Sequence, residues 1–572
     1  MRRKSPEGRT IVERIWLAHY PEGVPADIDV DEYASIREVF EESCRSFATR
    51  PAFSCMGRRI TFEDLDTLSS GFGAWLQGIG CGRGTRVALM MPNILQYPVC
   101  LFGALRAGCT VVNTNPLYTP RELEHQLVDS GAEVIVVVEN FARTLQEVVA
   151  RTRVRHVVVT SIGEFLAFKG RIVDLVLRRV KRAVPKWSLP GSIRLKDSLK
   201  QGRKRSLSRV PIGHADLAFL QYTGGTTGVA KGAMLTHRNM VANMLQARSW
   251  VRPFLGEGQR EVILTPLPLY HIFSLTANCL VFMSVGGENV LITNPRDIPR
   301  FVKEMRRCRF TAMTGVNTLF NALLNNPKFA RLDFSRFRLT LGGGMAVQEA
   351  VARRWKEVTG VALVEAYGLT ETSPAATMNP LDNADFNGTI GLPIPSTWIV
   401  LRDDAGLDVP LGQPGEICIK GPQVMAGYWQ RPDETAKVMT ADGYLMSGDI
   451  GIMDERGYVR IVDRKKDMIL VSGFNVYPNE IEGVVVAHPG VLECAAVGVA
   501  DDKSGEAVKL FVVRKDESVT ADELIAWCRD RMTGYKCPRD IEFRRELPKS
   551  NVGKILRREL RDQARASTAK AA

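Results

Sequence analysis

The sequence YTGGTTGVAKG occupies residues 222–232 and directly follows the apolar run LAFLQ at 217–221. Its glycines permit positive φ angles and let backbone N–H groups approach an anion closely. Its threonines add hydroxyl donors and its lysine adds a positive charge, so the stretch predicts a phosphate-binding loop that leaves a buried strand. It does not follow the Walker pattern GxxxxGK[ST]. The residues concerned are Gly224, Gly225, Gly228, Thr223, Thr226, Thr227 and Lys231.

On both sides of this loop, apolar strands alternate with amphipathic helices. Short β-branched runs are typical of strands buried on both faces, and segments between them have the 3.6-residue period of helices. The strand runs are VALMM (87–91), VIVVV (134–138), HVVVT (156–160), EVILT (261–265) and FTAMT (310–314), and the helical segments are 120–132 and 346–360. This alternation predicts an α/β fold with parallel sheets covered by helices.

The sequence pattern changes twice towards the C-terminus. From about residue 390, short strands separated by Gly, Pro and Asp turns predict a β-rich subdomain. The charged run VDRKKD (462–467) then leads into a new apolar strand and a segment with its own α+β pattern. We therefore expect a large domain over residues 1–464, with a β-rich part at about 390–464, and a small domain over 465–572.

Composition limits the class of protein. The chain has 572 residues, of which 45% are hydrophobic and 24% are charged, an ordinary balance for a multidomain globular protein. Its eleven cysteines form no CxxC pair, which argues against a zinc ribbon or a disulfide framework and fits a reducing cytosol. Neither a secretory signal nor an uninterrupted membrane-spanning run is visible, so we expect a cytoplasmic protein.

A basic stretch at residues 151–209 contains 17 Lys and Arg against three acidic residues, whereas the whole chain has a net charge of +13. Residues 165–187 alternate apolar and basic groups at helical spacing, which leaves two interpretations open: an interfacial helix on anionic lipid, or an ordinary solvated helix face. The stretch lacks the aromatic interleaving and motifs of nucleic-acid binders, so we expect no nucleic acid. The apolar face would hold Ile172, Val173, Leu175, Val176 and Val180, and the basic face Lys169, Arg171, Arg178, Lys181 and Arg182.

The order of motifs resembles that of the acyl-adenylate-forming superfamily, which includes acyl-CoA synthetases, peptide-synthetase adenylation domains and luciferases. Beyond the phosphate loop these motifs are PLYH (268–271), GGGM (342–345), YGLTET (367–372), SGD (447–449), DRKKD (463–467) and PKSNVGK (548–554). The resemblance covers about residues 30–565 and looks closest to the bacterial long-chain fatty acyl-CoA synthetases. One departure is Gly224, where many members carry Ser.

The resemblance implies a fold with two α/β subdomains and a distorted β-barrel in the large domain, followed by a small, mobile α+β domain. It also implies ATP, Mg²⁺ and coenzyme A as cofactors or co-substrates. Glu371 and Thr226 would hold Mg²⁺, Tyr367 would stack on adenine, and Asp449 and Arg464 would bind the ribose. The full set on the nucleotide side is Tyr222, Thr223, Gly224, Gly225, Thr226, Thr227, Gly228, Lys231, Gly343, Gly344, Tyr367, Gly368, Thr370, Asp449 and Arg464.

The same resemblance assigns the acyl and thiol side. Lys554 would bridge the fatty carboxylate and the α-phosphate, Lys466 would be the hinge, and Gly473 would line the passage for coenzyme A. The implied catalytic residues are Lys554, Glu371, Thr226 and Lys231. The implied acyl-pocket residues are His271, Phe273, Leu275, Val316, Gly342 and Met345.

Together these features predict ATP-dependent activation of a long-chain fatty acid to acyl-CoA through an acyl-adenylate, with release of AMP and pyrophosphate. A fatty acyl-AMP ligase and a medium-chain or aryl acid–CoA ligase stay open as alternatives. A lipid carrier without catalysis is disfavoured because Glu371 and Lys554 are intact, and a phosphotransferase is disfavoured by the missing Walker pattern. The expected partners are the fatty acid, ATP and coenzyme A. An anionic membrane surface, which would make the protein peripheral on the inner face of the cytoplasmic membrane, and a homodimer stay open.

Overall fold

The computed structural model describes residues 3–4, 10–11, 14–223, 230–256, 259–383, 385–472, 474–501, 504–550 and 553–571. Six residues singled out in the sequence lie outside the described residues. They are Gly224, Gly225, Thr226, Thr227, Gly228 and Gly473.

The first large sheet carries the strand that leads into the predicted phosphate loop. Its strands are parallel except for one antiparallel hairpin at the edge, because helical crossovers connect parallel neighbours. The run VIVVV forms Val134–Val138 and is buried along its whole length, as the sequence predicts. In spatial order the described strands are Lys231–Thr236, Leu217–Thr223, Thr110–Thr114, Arg86–Met90, Val134–Val138, His156–Thr160 and Ile193–Arg194.

The second large sheet is also parallel in its centre and antiparallel at both edges. The predicted strand runs near 261 and 310 form its central members. In spatial order the described strands are Leu392–Pro393, Ala375–Met378, Leu363–Gly368, Leu339–Gly342, Ala312–Gly315, Val262–Thr265, Glu288–Leu291, Pro51–Cys55 and Arg58–Thr61. Two parallel sheets covered by helices confirm the predicted α/β class.

Helices cover the faces of both sheets. The predicted helical segments form Pro120–Ser130, which begins with a capping box at Thr119, and Glu349–Thr359. The α-helices of the large domain in the described chain are Ile36–Ser46, Phe62–Gly78, Gln96–Arg106, Pro120–Ser130, Ala142–Val148, Ala167–Leu175, Leu195–Gly202, His237–Val251, Ile272–Ser274, Val281–Ser284, Ile298–Met305, Asn317–Leu324, Glu349–Thr359 and Pro432–Ala436, with π-helical turns at Val176–Val180 and Leu275–Leu280.

The β-rich part predicted from about residue 390 forms an antiparallel sheet. Its strands in spatial order are Trp398–Arg402, Gly415–Lys420, Leu445–Met453 and Val459–Arg464. We expected a distorted barrel here, but within the described residues the sheet stays open. Four strands are too few to close around a packed interior, since small closed barrels have about eight.

The small domain has its own sheet and its own buried core. Its first strand begins at Ile469, five residues after the β-rich sheet ends at Arg464, and Lys466 lies in the intervening turn. The domain limits and the hinge role of Lys466 stay predictions. The strands in the described part of this domain are Ile469–Val471, Phe474–Val476, Val491–Asp501, Gly505–Arg514 and Asp540–Arg544, and the α-helices are Pro478–Val486, Ala521–Arg529 and Arg557–Ala571.

Two general features complete the fold. All eleven cysteines lie in the described chain as free thiols, and each is buried except Cys308, which is half-buried. No helix of the described residues is both long enough and apolar enough to cross a membrane.

Candidate active site

The phosphate-loop hairpin is the first element of the site. Strands Leu217–Thr223 and Lys231–Thr236 pair antiparallel as a hairpin, with Thr223 opposite Lys231, and residues 224–229 between them lie outside the described residues. The Tyr222 hydroxyl donates to Asp129 Oδ2 at 2.7 Å. Burial and the Asp129 charge raise the pKa of Tyr222 far above its usual value. This hydroxyl therefore links the end of the strand to the helix Pro120–Ser130, and the nucleotide-binding role of Tyr222 stays a prediction.

Lys231 carries a positive charge at the exit of the loop. Its ammonium forms an ion pair with Glu434 and lies 5.0 Å from the centroid of the Tyr428 ring. Hydrogen bonds from Lys231 and Lys437 lower the pKa of Glu434 to about 2. A carboxylate thus neutralises the lysine that is predicted to hold phosphate oxygens.

Glu371 lies in the short 3₁₀ turn Thr370–Thr372, next to the segment that contains Tyr428. Its Oε1 accepts a hydrogen bond of 2.7 Å from the Tyr428 hydroxyl, and its carbonyl accepts one of 2.8 Å from the Met425 N–H. Within the described residues, Oε2 has no hydrogen-bond partner. An available carboxylate oxygen beside a basic phosphate site fits Mg²⁺, which proteins hold through one or two carboxylates plus substrate phosphates.

A larger protein-only metal cage is absent from the described residues, which contain no group of three or more His, Cys, Asp or Glu side chains able to hold a metal. Thr226, the second predicted metal residue, lies outside the described residues.

Tyr367, Asp449 and Arg464 meet on the other side of the cleft. Asp449 and Arg464 lie opposite each other on adjacent antiparallel strands. Arg464 Nε lies 3.4 Å from Asp449 Oδ1, and the Tyr367 hydroxyl donates to Asp449 Oδ2 at 2.7 Å. Burial and the Asp449 charge raise the pKa of Tyr367 well above its usual value, so the phenol stays protonated. The structure therefore brings together the three residues predicted for adenosine.

The small domain places Lys554 beside this cluster. Burial, reinforced by the charge of Arg464 and offset by that of Asp449, lowers the pKa of Lys554 to about 7. The lysine lies in a tight turn in which its N–H donates to Ser550 Oγ at 3.1 Å, and an isolated bridge pairs Lys549 with Ile555. Backbone contacts within the small domain thus hold Lys554, and its charge interacts with the predicted ribose-side residues Arg464 and Asp449.

That turn rests directly on the large domain. The Thr318 hydroxyl lies 3.5 Å from the carbonyl oxygen of Gly553. A Cβ at residue 553 would lie 2.8 Å from Thr318 Oγ1 and 3.4 Å from Val316 Cγ2, and Gly553 has a φ of +84°. Glycine is required here both by backbone conformation and by space. Val316, predicted as an acyl-pocket residue, therefore also contacts the turn that carries Lys554.

His271 lies on the predicted acyl side. It caps the helix Ile272–Ser274, with Nδ1 accepting the Phe273 N–H at 3.3 Å. Burial, with the nearby charge of Lys554, lowers the pKa of His271 to about 4, so the imidazole is neutral at physiological pH. The charge of Lys554, from the small domain, thus contributes to the electrostatic environment of His271 in the large domain.

The glycine-rich turn at 342–345 is packed closely against this helix. A Cβ at Gly343 would lie 3.1 Å from the Phe273 ring, and one at Gly342 would lie 2.7 Å from Val347. Gly344 has a φ of +77°. Met345 is half-buried and packs against the hydrophobic cluster that contains Val316 and Phe320. These residues form one continuous wall with Phe273.

Two other predicted residues have clear structural settings. Leu275 has no exposed surface and belongs to the main hydrophobic core, so it lies behind the wall formed by Phe273. A Cβ at Gly368 would lie 1.9 Å from the Pro374 carbonyl oxygen, which makes glycine obligatory beside Tyr367 and Thr370.

Sequence reasoning missed Tyr428, Glu434, Asp129 and Thr318. Tyr428 and Glu434 lie in the stretch GYWQRPDET (427–435), where no periodicity or charge pattern marks a site. Asp129 lies on an ordinary amphipathic helix. Each contacts a predicted site residue only in the folded chain, so periodicity and charge pattern carry no signal for it.

Comparison with known families agrees with this geometry. The AMP-binding enzyme family matches residues 40–429, and the AMP-binding enzyme C-terminal domain matches residues 480–554. The chain belongs to the AMP-binding enzyme family.

Relatives match it over nearly the full length. A long-chain-fatty-acid–CoA ligase of Yersinia pestis is 60% identical over 554 residues, which is 96% of this chain and 98% of that protein. Among solved structures, an anthranilate CoA ligase in complex with anthranoyl-AMP has a TM-score of 0.83 at 26% identity, covering 95% of this chain and all of that one. ATP-bound MatB from Rhodopseudomonas palustris has a TM-score of 0.79 at 27% identity, covering 92% of this chain and 99% of that one.

Proposed function

We propose that this protein is an AMP-forming long-chain fatty acid–CoA ligase. The 60% identity to a long-chain-fatty-acid–CoA ligase over almost all of both chains supports the substrate class. The structural observation that supports the proposal is the contact of the Lys554 turn with the large domain, where Gly553 meets Thr318 and where the charges of Arg464 and Asp449 act on Lys554. An amine held between a ribose-binding pair and the acyl wall is suited to join a carboxylate to a nucleotide phosphate.

In the first half-reaction the fatty carboxylate attacks the α-phosphorus of ATP, forming the acyl-adenylate and releasing pyrophosphate. Both reactants are anions, so the residues mainly position them and neutralise charge. Lys231, once released from Glu434, would hold the β- and γ-phosphates together with the hairpin loop. Lys554 would bridge the carboxylate and the α-phosphate. Mg²⁺ held on Glu371, with Thr226, would supply charge neutralisation at the phosphates.

The neighbours of Lys554 set its protonation during this step. Burial, together with the charges of Arg464 and Arg557 and offset in part by those of Asp449 and Asp467, lowers the pKa of Lys554 to about 7 when no substrate is bound. Binding of the two anionic substrates favours the ammonium form and raises that pKa. Neutral His271 leaves Lys554 as the charged group at the acyl end, and Phe273, Val316, Gly342 and Met345 would form the wall against the acyl chain.

In the second half-reaction the thiol of coenzyme A attacks the acyl-adenylate carbonyl, forming the thioester and releasing AMP. We propose that the small domain turns about Lys466, which withdraws Lys554 and brings the strand near Gly473 to the thiol passage. Rotation between two closed arrangements also excludes water from the reactive mixed anhydride.

Pyrophosphate release with C4 to C20 acids, with and without coenzyme A, tests the proposal. We expect adenylation to occur without coenzyme A, but steady turnover and thioester formation only when coenzyme A is present. We expect the highest kcat/KM for long chains, because each buried CH₂ contributes about 0.8 kcal/mol. Formation of acyl-AMP and pyrophosphate with no thioester in the presence of coenzyme A would indicate a fatty acyl-AMP ligase. Preference for benzoate, coumarate or short acids would indicate an aryl or medium-chain ligase, and fatty-acid binding without ATP consumption would indicate a carrier.

We also propose that the helix at 167–180 docks on an anionic membrane surface. Its apolar side chains face solvent: Phe168 is 75% exposed, Ile172 54%, Leu175 59% and Val180 74%. The exposed cations Lys169, Arg171, Arg179, Lys181 and Arg182 surround them. An ordinary solvated helix would not display this many large apolar groups, whereas an interfacial helix requires them.

The opposite face of the same helix holds it on the protein. Asp174 accepts hydrogen bonds from the Gly163 N–H at 2.8 Å and the Ser161 hydroxyl at 2.7 Å. Arg178, expected on the outer basic face, instead pairs with buried Glu139 at 2.9 Å. The helix is therefore attached to the protein through Asp174 and Arg178, and its large apolar side chains remain exposed to solvent.

Sedimentation with vesicles of phosphatidylcholine alone or with phosphatidylglycerol tests this docking. Each Lys or Arg near an anionic surface contributes about 1 kcal/mol, so binding should require the anionic lipid and weaken as salt rises. The triple variant Phe168→Ser, Ile172→Ser, Leu175→Ser should lose most of the binding, whereas Leu407→Ser, at an exposed turn of the β-rich part, should keep it. Equal binding of the triple variant would refute the docking surface.

A further inference from the structure

Residues 426–434, here called the strap, run along the outer strand of the phosphate-loop hairpin. The Ala426 N–H donates to the Met234 carbonyl at 3.0 Å, the Met234 N–H donates to the Gly427 carbonyl at 2.9 Å, and the Trp429 N–H donates to the Gly232 carbonyl at 2.8 Å. The strap therefore extends the first sheet beyond its edge strand. A change in the position of the hairpin should therefore shift the strap, and a shift of the strap should move the hairpin.

Tyr428 is the point of the strap at which two predicted substrate-binding residues meet. Its hydroxyl donates to Glu371 Oε1 at 2.7 Å, and its ring lies against the Lys231 ammonium at 5.0 Å from the ring centroid. Tyr428 itself is 8% exposed and its N–H donates to Thr435 Oγ1 at 2.9 Å. One fixed side chain thus contacts both the predicted metal carboxylate and the predicted phosphate lysine.

The strap is anchored on its far side by Asp129. Arg431 pairs with Asp129 Oδ1 at 2.9 Å, the Trp429 indole N–H donates to the Asp129 carbonyl at 3.1 Å, and Tyr222 donates to Oδ2 at 2.7 Å. Because Tyr222 is the last residue but one before the hairpin loop, Asp129 ties the root of the loop to the strap. The rotamer and position of Tyr428 are therefore determined from both ends.

We propose that Tyr428 is a positioning residue that orients Glu371 for Mg²⁺ and couples the metal site to Lys231. The proposal rests on the proposed function, since it takes the metal–triphosphate complex as the ligand. A hydrogen bond to one carboxylate oxygen restrains the rotation of the carboxylate, and Oε2, which has no hydrogen-bond partner among the described residues, would be the oxygen available to the metal. Outer residues that orient metal ligands in this way typically contribute about 10–100-fold to metal affinity.

The test is a direct binding measurement on the full chain. Mn²⁺, a spectroscopic substitute for Mg²⁺, is titrated by electron paramagnetic resonance in the presence of the α,β-methylene analogue of ATP, and binding of the metal-free analogue is measured by calorimetry. We expect Tyr428→Phe to weaken Mn²⁺ binding about 10–100-fold while the affinity for the metal-free nucleotide stays within about twofold, because the ring against Lys231 is retained. Tyr444→Phe, at a buried tyrosine of the β-rich sheet, should behave as wild type.

The double variant Tyr428→Phe, Glu371→Gln provides an internal check. If Tyr428 acts through Glu371, its removal should have little further effect once the carboxylate is gone. Unchanged Mn²⁺ affinity of Tyr428→Phe, an equal loss with metal-free nucleotide, or full additivity with Glu371→Gln would each overturn the proposal. Failure of the wild-type chain to bind the metal–nucleotide complex would instead refute the proposed function itself.

Discussion

Gly553, the residue before Lys554, lies directly against Thr318 of the large domain, with 3.5 Å between the Thr318 hydroxyl and the Gly553 carbonyl oxygen. This contact positions the turn that carries Lys554 against the large domain. Because Val316 also borders Gly553, the same surface that is proposed to meet the acyl chain positions the lysine that acts on its carboxylate. We therefore expect docking of the small domain and recognition of the acid to be coupled.

Gly553→Ala should impair adenylation. A side chain at φ +84° is strained by about 1–2 kcal/mol, and the added Cβ would meet Thr318 Oγ1 at 2.8 Å. We expect a loss of about tenfold or more in kcat/KM for pyrophosphate release, with thioester formation from preformed acyl-AMP unchanged. Gly534→Ala, in open space of the same domain, is the control and should keep both activities. An equal loss in both half-reactions would argue against a docking role.

Lys554→Ala should remove the charge that joins the two anionic substrates. Loss of such a contact typically lowers the rate by about 10²–10³-fold. Adenylation, measured as pyrophosphate release, should fall by this factor, whereas transfer of preformed acyl-AMP to coenzyme A should persist. Lys549→Ala, in the same turn but paired with Glu493 at 2.6 Å, should retain most of the activity. Loss of both half-reactions in Lys554→Ala would contradict the proposed division of roles.

The lowered pKa of Lys554 predicts a pH dependence. Burial and the charge of Arg464 lower the pKa to about 7, and adenylation uses the charged form, which predominates below the pKa. In the free enzyme, kcat/KM for pyrophosphate release should therefore decline as pH rises above about 7, and kcat should decline only at higher pH because bound anions raise the pKa. Lys554→Arg stays charged and should lose this limb of the profile. Persistence of the same limb in that variant would assign it to another group.

Arg557 should be important for stability at the junction of the domains. It pairs with Glu482 at 2.7 Å, with the fully buried Asp463 at 3.5 Å and with Asp467 at 3.6 Å. Arg557→Met leaves Glu482 and Asp463 without this cation, whereas Asp467 keeps its ion pair with Arg561 at 3.0 Å. We expect a loss of about 3–5 kcal/mol in the free energy of unfolding, measured by urea denaturation. Arg558→Met, whose ion pair with Asp562 is exposed at 3.7 Å, should change it by about 0.5 kcal/mol or less.

The pH dependence of that deficit distinguishes charge from packing. Burial raises the pKa of Asp463 to about 6 from its usual 3.8, and removal of Arg557 raises it further. A carboxyl group with a raised folded-state pKa stabilises the fold below its unfolded pKa, and this contribution is lost as pH rises through the folded pKa. The deficit of Arg557→Met should therefore be larger at pH 8 than at pH 5. A deficit that is independent of pH would indicate lost packing alone.

Much of the fold was predictable because it depends on local patterns. The run at 134–138 forms a strand buried on both faces, and the helix after Thr119 begins with the capping residues that its sequence shows. The family resemblance also predicted that Tyr367, Asp449, Arg464 and Lys554 belong to one site, although they are far apart in the chain.

The remaining features depend on contacts that no local pattern encodes. The hydroxyl of Tyr222 turns to Asp129 on a helix that is unrelated to it in sequence, and Tyr428 acts only through Glu371. Leu275 has the same apolar character as Phe273, but a π-helical turn begins at Leu275 and its side chain lies in the core. Sequence could likewise not decide whether the apolar residues at 168–180 face the protein or the solvent.

The burial of the cysteines has a consequence for an enzyme that is proposed to handle a thiol. Burial raises the pKa of Cys279 and Cys109 beyond any physiological range and that of Cys55 and Cys81 to about 11, so their sulfurs stay protonated. Only a thiolate attacks a thioester or exchanges with a disulfide. The protein's own sulfurs are therefore chemically silent towards the acyl-adenylate, the thioester product and oxidised coenzyme A, and the incoming co-substrate meets no competing nucleophile of its own kind.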